Sequence, residues 1–222
     1  MKLDFSSVWQ YWPFLYHGAL TTLKITAITA VFVFILGVLL SLIKISKCRP
    51  RVWFGNFYTS IFRGTPLLVQ LCIVHFGLPQ LTGMTLTTMQ SGVLTFSLNS
   101  AAYISEIFRG GINAIDRGQY EAAMSLGVGY RDMMKDIILP QAVKHILPSL
   151  VNEAISLLKE SSILSYIGAV ELLRAADQIT VLTFRFFEPY LVIAVIYYVL
   201  VMLLSMVASW IERWVNRSDR VL

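Results

Sequence analysis

Five apolar stretches, each about as long as a hydrocarbon core is thick, constrain this chain more than any other feature. They run approximately over 20–43, 53–76, 89–108, 146–167 and 189–211. A helix needs roughly 20 apolar residues to cross that core. Of the 222 residues, 56% are hydrophobic and only 14% charged. A soluble domain of this length has too little interior for so much apolar surface, and a disordered chain would be richer in charge. The predicted fold is all-α: one transmembrane domain over 1–222 with five membrane helices.

The distribution of Lys and Arg predicts orientation, because cytoplasmic loops carry the excess. Lys44, Lys47, Arg49 and Arg51 follow the first run. Arg109, Arg117, Arg131, Lys135 and Lys144 fill the loop over 109–145, and Arg213, Arg217 and Arg220 follow the last run. The opposite side holds Lys2, Arg174 and Arg185, with Lys24 close by. The expected arrangement is N-terminus outside and C-terminus in the cytoplasm. The net charge of +5 is then a topology signal, and no nucleic-acid partner is expected.

Residues 1–18 place Trp9, Trp12, Phe14 and Tyr16 around Pro13, an interfacial aromatic segment rather than the basic start of a signal peptide. Cys48 and Cys72 lack metal-ligand spacing, and His17, His75 and His145 are scattered; no metal site is expected.

The loop over 109–145 is too polar to span. Glu121 to Gly127 is helix-forming and stopped by glycine. Val128-Gly129-Tyr130 predicts a turn, and Arg131 to Leu139 a second short helix ended before Pro140. The result would be a compact cytoplasmic knob. Its pattern of Glu121-Ala122-Ala123, Gly127, Ile137, Leu139 and Pro140 resembles the coupling loop of ABC importer permeases. Arg63-Gly64-Thr65-Pro66-Leu67-Leu68-Val69-Gln70 is similar to the permeases for polar amino acids, the histidine, glutamine, arginine and glutamate group. So are the stretch from Asn99 to Ile112 and Leu158-Lys159-Glu160-Ser161-Ser162.

The resemblance covers nearly the whole chain and implies a type I ABC importer permease. Glu121, Ala122, Ala123 and Gly127 would dock on an ATPase subunit, the small side chains permitting close approach. It further implies a second permease subunit, identical or related, and an extracytoplasmic amino-acid-binding protein. No Gly-x-x-x-x-Gly-Lys-Ser/Thr run occurs, so ATP and magnesium would be bound by the ATPase partner and no cofactor by this chain. Glu160 departs from the Asn or Asp of many relatives, which leaves the substrate's charge open.

Charged groups inside a bilayer are functional candidates by default. Asn152, Ser156 and Lys159 fall on one helical stripe, and Glu153 and Glu160 on its neighbour. A zwitterionic amino acid needs a cation or donor for its carboxylate, a role for Lys159 and Asn99. Its ammonium needs an anion, a role for Glu160 or Glu153. The resemblance adds Tyr103 to this set. Pro66 frees the carbonyl of Phe62, so the second helix should break there; Arg63, Gly64, Thr65 and Pro66 are read as a hinge or cavity element. Glu106 and Arg109, one turn apart, read as a structural pair. An ion-gradient transporter using Glu153 and Glu160 as proton carriers is the competing expectation, and a non-transporting membrane scaffold a further one.

Overall fold

The computed structural model describes residues 3–215; Lys2, Arg217 and Arg220 lie outside them. Every regular element among the described residues is helical. In chain order these are α1 (Ser6–Trp9), α2 (Trp12–Ile45), α3 (Arg49–Gly64), α4 (Leu67–Cys72) and α5 (Leu78–Thr82). They continue with α6 (Thr88–Asn113), α7 (Arg117–Ser125), α8 (Tyr130–Asp132), α9 (Leu139–Glu160), α10 (Leu172–Thr183) and α11 (Phe187–Val215). π-helical turns over Ile73–Gly77 and Met133–Ile138 join α4 to α5 and α8 to α9, and a 3-10 turn over Ser161–Ile167 extends α9.

By length and composition, α2 and α11 can each cross a membrane, and α3 with the segment to Thr82 forms a bent pair, broken by 103°. α6 and α9 are long enough but less apolar. The polar residues of α6 face inward: Ser91, Thr95, Asn99, Ser100 and Ser105 are all buried.

α2 begins at Trp12, well before the predicted Leu20. Pro13 sits in its first turn, where a missing amide costs nothing, so Trp12, Phe14 and Tyr16 are part of the helix, while Trp9 ends α1. α10 lies between the apolar runs over 146–167 and 189–211, where no helix is predicted. Gly168 in the left-handed region ends the 3-10 turn, and the Glu171 carboxylate caps α10 by accepting from the amides of Leu173 and Arg174, both at 2.8 Å.

Close helix packing fixes the bundle. α2 and α6 run parallel, and Gly37 of α2 lies so near Ile104 that an added Cβ would come within 2.3 Å of its Cγ2. α9 runs antiparallel to α6. Gly111 near the end of α6 meets Ile146 near the start of α9, and Gly92 near the start of α6 meets Leu164 beyond the end of α9. Small residues at such crossings let backbones approach where the hydrophobic effect gives no drive. The central core joins Ile25, Val33, Leu71, Phe96, Ile104, Leu157 and Leu164. At one end, α10 packs on the start of α2 and on α11 around Leu15, Leu172, Ala176 and Ile193. There too the N-terminal segment is clasped to α11. The Asp4 amide donates to Glu188 at 3.2 Å, and Arg185 donates to Glu188 at 2.7 Å while lying 3.6 Å from Asp4. The knob occupies the other end.

Candidate functional site

The break between α3 and α4 follows from Pro66. Lacking an amide, it leaves the Phe62 carbonyl without its helical donor. Two side-chain amides fill the gap. Gln70 Nε2 donates to that carbonyl at 2.9 Å, and Asn99 Nδ2 on α6 donates to it at 2.9 Å. Asn99 also donates to Gln70 Oε1 at 3.0 Å, and Gln70 donates to the Thr65 carbonyl and hydroxyl at 3.1 and 2.8 Å. The predicted hinge at Gly64-Thr65-Pro66 is therefore a pinned bend.

This geometry corrects one expectation. Asn99 was read as a donor for the substrate carboxylate, but both hydrogens of its Nδ2 are directed at Phe62 and Gln70. It is buried, and its role in this conformation is to hold the broken helix against α6. Gln70 was quoted in the sequence motif without a role; a carboxamide one turn beyond a membrane-depth proline was the available signal. Arg63 and Tyr103 are both exposed and meet face to face, the guanidinium carbon 5.3 Å from the ring centroid, a cation–π contact.

The polar stripe of α9 opens onto a cavity of about 350 Å³ lined by Ser156, Lys159, Glu160, Ser162 and Ile163. Ligand pockets start at roughly this size. Lys159 and Glu160 put an amine and a carboxyl group on the same wall, with the Ser156 hydroxyl one turn away. Glu153 and Lys159 are the charged groups that act on Glu160. Glu153 is half-buried and Asn152 exposed; neither lines this cavity.

The knob is organised around its own core of Ile115, Ala123, Met133, Ile138, Ala142 and Ile146. Asp116 caps α7 by accepting from the Gly118 amide at 2.7 Å. The helix ends in a Schellman motif: Val128 donates to the Ala123 carbonyl and Gly127 to that of Met124, both at 3.0 Å. Gly127 has φ +73 and open space where a Cβ would be. Its glycine is thus required by the backbone. Ala123 is a second correction: at 2% exposure it points into the knob and has no surface to offer a partner. Glu121 and Ala122 are exposed, joined by the exposed apolar side chains of Met124, Leu126 and Tyr130. Burial raises the Tyr120 phenol above its ordinary pKa, with Tyr130 adding to the shift, so it stays neutral. Replacing Gly127 with valine is expected to cost about 1–2 kcal/mol, the penalty of a left-handed backbone for a side chain; Gly127→Asn should cost less. Thermal unfolding of the two variants checks the order, and equal midpoints would remove the conformational argument.

Pro140 does not end a helix. The chain runs from Tyr130 through the π-helical turn into α9, with Pro140 in its first turn. The wider turn accommodates the missing amide, and Gln141 Nε2 donates to the Ile137 carbonyl at 2.9 Å.

At the knob end of the bundle, the predicted Glu106–Arg109 pair is present at 2.6 Å, and the structure adds a third member. The Lys44 ammonium, its side chain 2% exposed, bonds Glu106 and also donates to Thr59 at 3.1 Å. One ammonium thereby ties α2, α3 and α6.

The family model described as binding-protein-dependent transport system inner membrane component matches residues 34–218. The chain is 51% identical over 219 residues to the arginine transport system permease protein ArtQ of Bacillus subtilis, covering 99% of this chain and 100% of that one. It is 49% identical over 200 residues to the putative glutamine transport system permease protein GlnP of Rickettsia felis, covering 90% and 92%. Among solved structures it resembles an amino acid ABC transporter with histidines, at a TM-score of 0.91 and 44% identity, covering 96% of this chain and 99% of that one. Pinned bend, knob and polar cavity are therefore carried on the fold of a type I importer, and the chain belongs to the binding-protein-dependent transport system inner membrane components, the permease subunits of ABC importers.

Proposed function

We propose that this permease admits a polar or charged α-amino acid to the bacterial cytoplasm by alternating access, driven by ATPase subunits docked on the knob. The carrying observation is that the cavity at Ser156, Lys159 and Glu160 lies on the same helix that is rooted in the knob core. Lys159 takes the substrate carboxylate and Glu160 its ammonium; Ser156 supplies a hydroxyl. Asn152, Glu153 and Tyr103 belong to the wider polar wall, and Arg63 with Gly64-Thr65-Pro66 to the element that reshapes it. Glu121, Ala122 and the exposed apolar residues around Gly127 meet the ATPase.

The chain hydrolyses nothing itself; ATP and magnesium belong to the partner. A second permease subunit completes the pathway, and an extracytoplasmic binding protein delivers substrate. The N-terminus and α10 face outward, and the end bearing Lys44, Arg109 and the knob faces the cytoplasm. ATP binding closes the ATPase dimer and turns the cavity outward; work is extracted because the two cavity states differ in affinity for the substrate.

The test is uptake of labelled amino acids into proteoliposomes holding the complete transporter, with the binding protein supplied. Uptake is expected to require ATP. Uptake that proceeds without ATP but follows an imposed proton gradient would favour the secondary-transport reading. Lys159→Met is expected to raise the half-saturating substrate concentration about 10-fold or more, since a charge-assisted hydrogen bond contributes roughly 1.5–3 kcal/mol. An unchanged concentration dependence would assign Lys159 to structure.

A further inference from the structure

A second cavity lies at the opposite end of the molecule from the knob, and nothing above gives it a role. It measures about 430 Å³ and is lined by Phe14, Arg174, Asp177, Gln178, Val181 and Leu182. Arg174 and Asp177 are one turn apart on α10. No carboxylate among the described residues lies within ion-pair distance of the exposed Arg174 guanidinium. Asp177 accepts the Tyr190 hydroxyl at 2.8 Å through one carboxylate oxygen, and that bond leaves its negative charge in place. Gln178, next to Asp177 in the chain, also lines the cavity.

We infer that this cavity is an outer subsite for a free α-amino acid, distinct from the α9 cavity and upstream of it in transport. The carboxylate pairs with Arg174 and the ammonium with Asp177. Phe14, Val181 and Leu182 give the apolar wall that packs the ligand's stem. A fixed cation and anion one helical turn apart recognise the zwitterion common to all such substrates, so the site selects the class and leaves side-chain discrimination to α9. The inference rests on the amino-acid reading of the α9 cavity.

The experiment uses the complete transporter in lipid nanodiscs, without ATP. The ligand is the labelled amino acid, among L-arginine, L-glutamine and L-cystine, for which proteoliposomes show ATP-dependent uptake. Equilibrium binding should resolve two components per permease subunit. Arg174→Met and Asp177→Asn, the latter keeping an oxygen for Tyr190, should each weaken one component about tenfold or more and leave the other unchanged. Glu160→Gln should do the reverse. The N-acetyl derivative of the same amino acid, which has no ammonium, should compete poorly for the component that Asp177→Asn removes. A single component, or two that neither α10 variant alters, would overturn the subsite while leaving amino-acid transport standing. Absence of ATP-dependent uptake for the whole panel would overturn the amino-acid reading and this subsite with it.

Discussion

Replacing Glu106 with leucine is expected to destabilise the folded permease by about 3–5 kcal/mol, the cost of leaving a buried partner charge uncompensated. The size of the effect comes from Lys44. Its ammonium is out of solvent, and after the substitution only the Thr59 hydroxyl would remain as a partner. Arg109 is largely exposed and can turn to water, so its loss of Glu106 adds little. At about 2–4 °C for each kcal/mol in a chain of this size, thermal unfolding in detergent should show a midpoint lower by roughly 6–20 °C. The pair Lys44→Met with Glu106→Leu should recover most of the loss, because apolar replacements of both members of a buried pair are often neutral or stabilising. A single variant with an unchanged midpoint, or a double variant as unstable as the single, would refute the account.

The second large effect is expected at the bend. Gln70→Leu with Asn99→Leu removes both donors to the Phe62 carbonyl and the donor to the Thr65 carbonyl. With about 1–3 kcal/mol for each orphaned group, the sum is on the order of 4 kcal/mol. The diagnostic variant adds Pro66→Ala to this background. Alanine restores the amide that Phe62 lacks, so α3 and α4 can run on as one helix. Spin labels at Ser60 and Leu81, both exposed, would then report a longer separation than the 103° break allows. A separation unchanged from the parent would show that something other than these hydrogen bonds sets the angle.

The bend also shows what the sequence could and could not disclose. Proline chemistry alone identifies the break and names Phe62 as the carbonyl set free, because both follow from a missing atom. Which groups would answer that carbonyl depends on how α6 lies against α3, a tertiary fact. Asn99 therefore read as a substrate donor and Gln70 as nothing. The same limit applies to Ala123. A coupling-loop pattern records which residues recur at fixed spacing without recording which way each points, and this alanine points inward. Pro140 misled for a local reason, since a π-helical turn lets a helix continue through a residue that normally closes one. α10 was missed because its hydrophobic face is short, and because Glu171 is a less common cap than Ser, Thr, Asp or Asn. The α9 stripes were legible in part: helical periodicity puts Asn152, Ser156 and Lys159 on one and Glu153 and Glu160 on the next, and the structure brings Ser156, Lys159 and Glu160, but neither Asn152 nor Glu153, around a cavity.

The inward turn of Ala123 has a mechanical meaning. Because the knob and the first turns of α9 share one core, no loose joint separates the exposed face of the knob from the start of the helix. From Leu139 to Lys159, at 1.5 Å per residue, α9 is a lever arm of roughly 30 Å. A tilt of about 5° imposed at the knob would carry its far end sideways by roughly 2.6 Å over that length. That displacement is comparable to a hydrogen-bond length, enough to part a substrate held as proposed from Lys159 and Glu160 while scarcely disturbing the surface that was pushed.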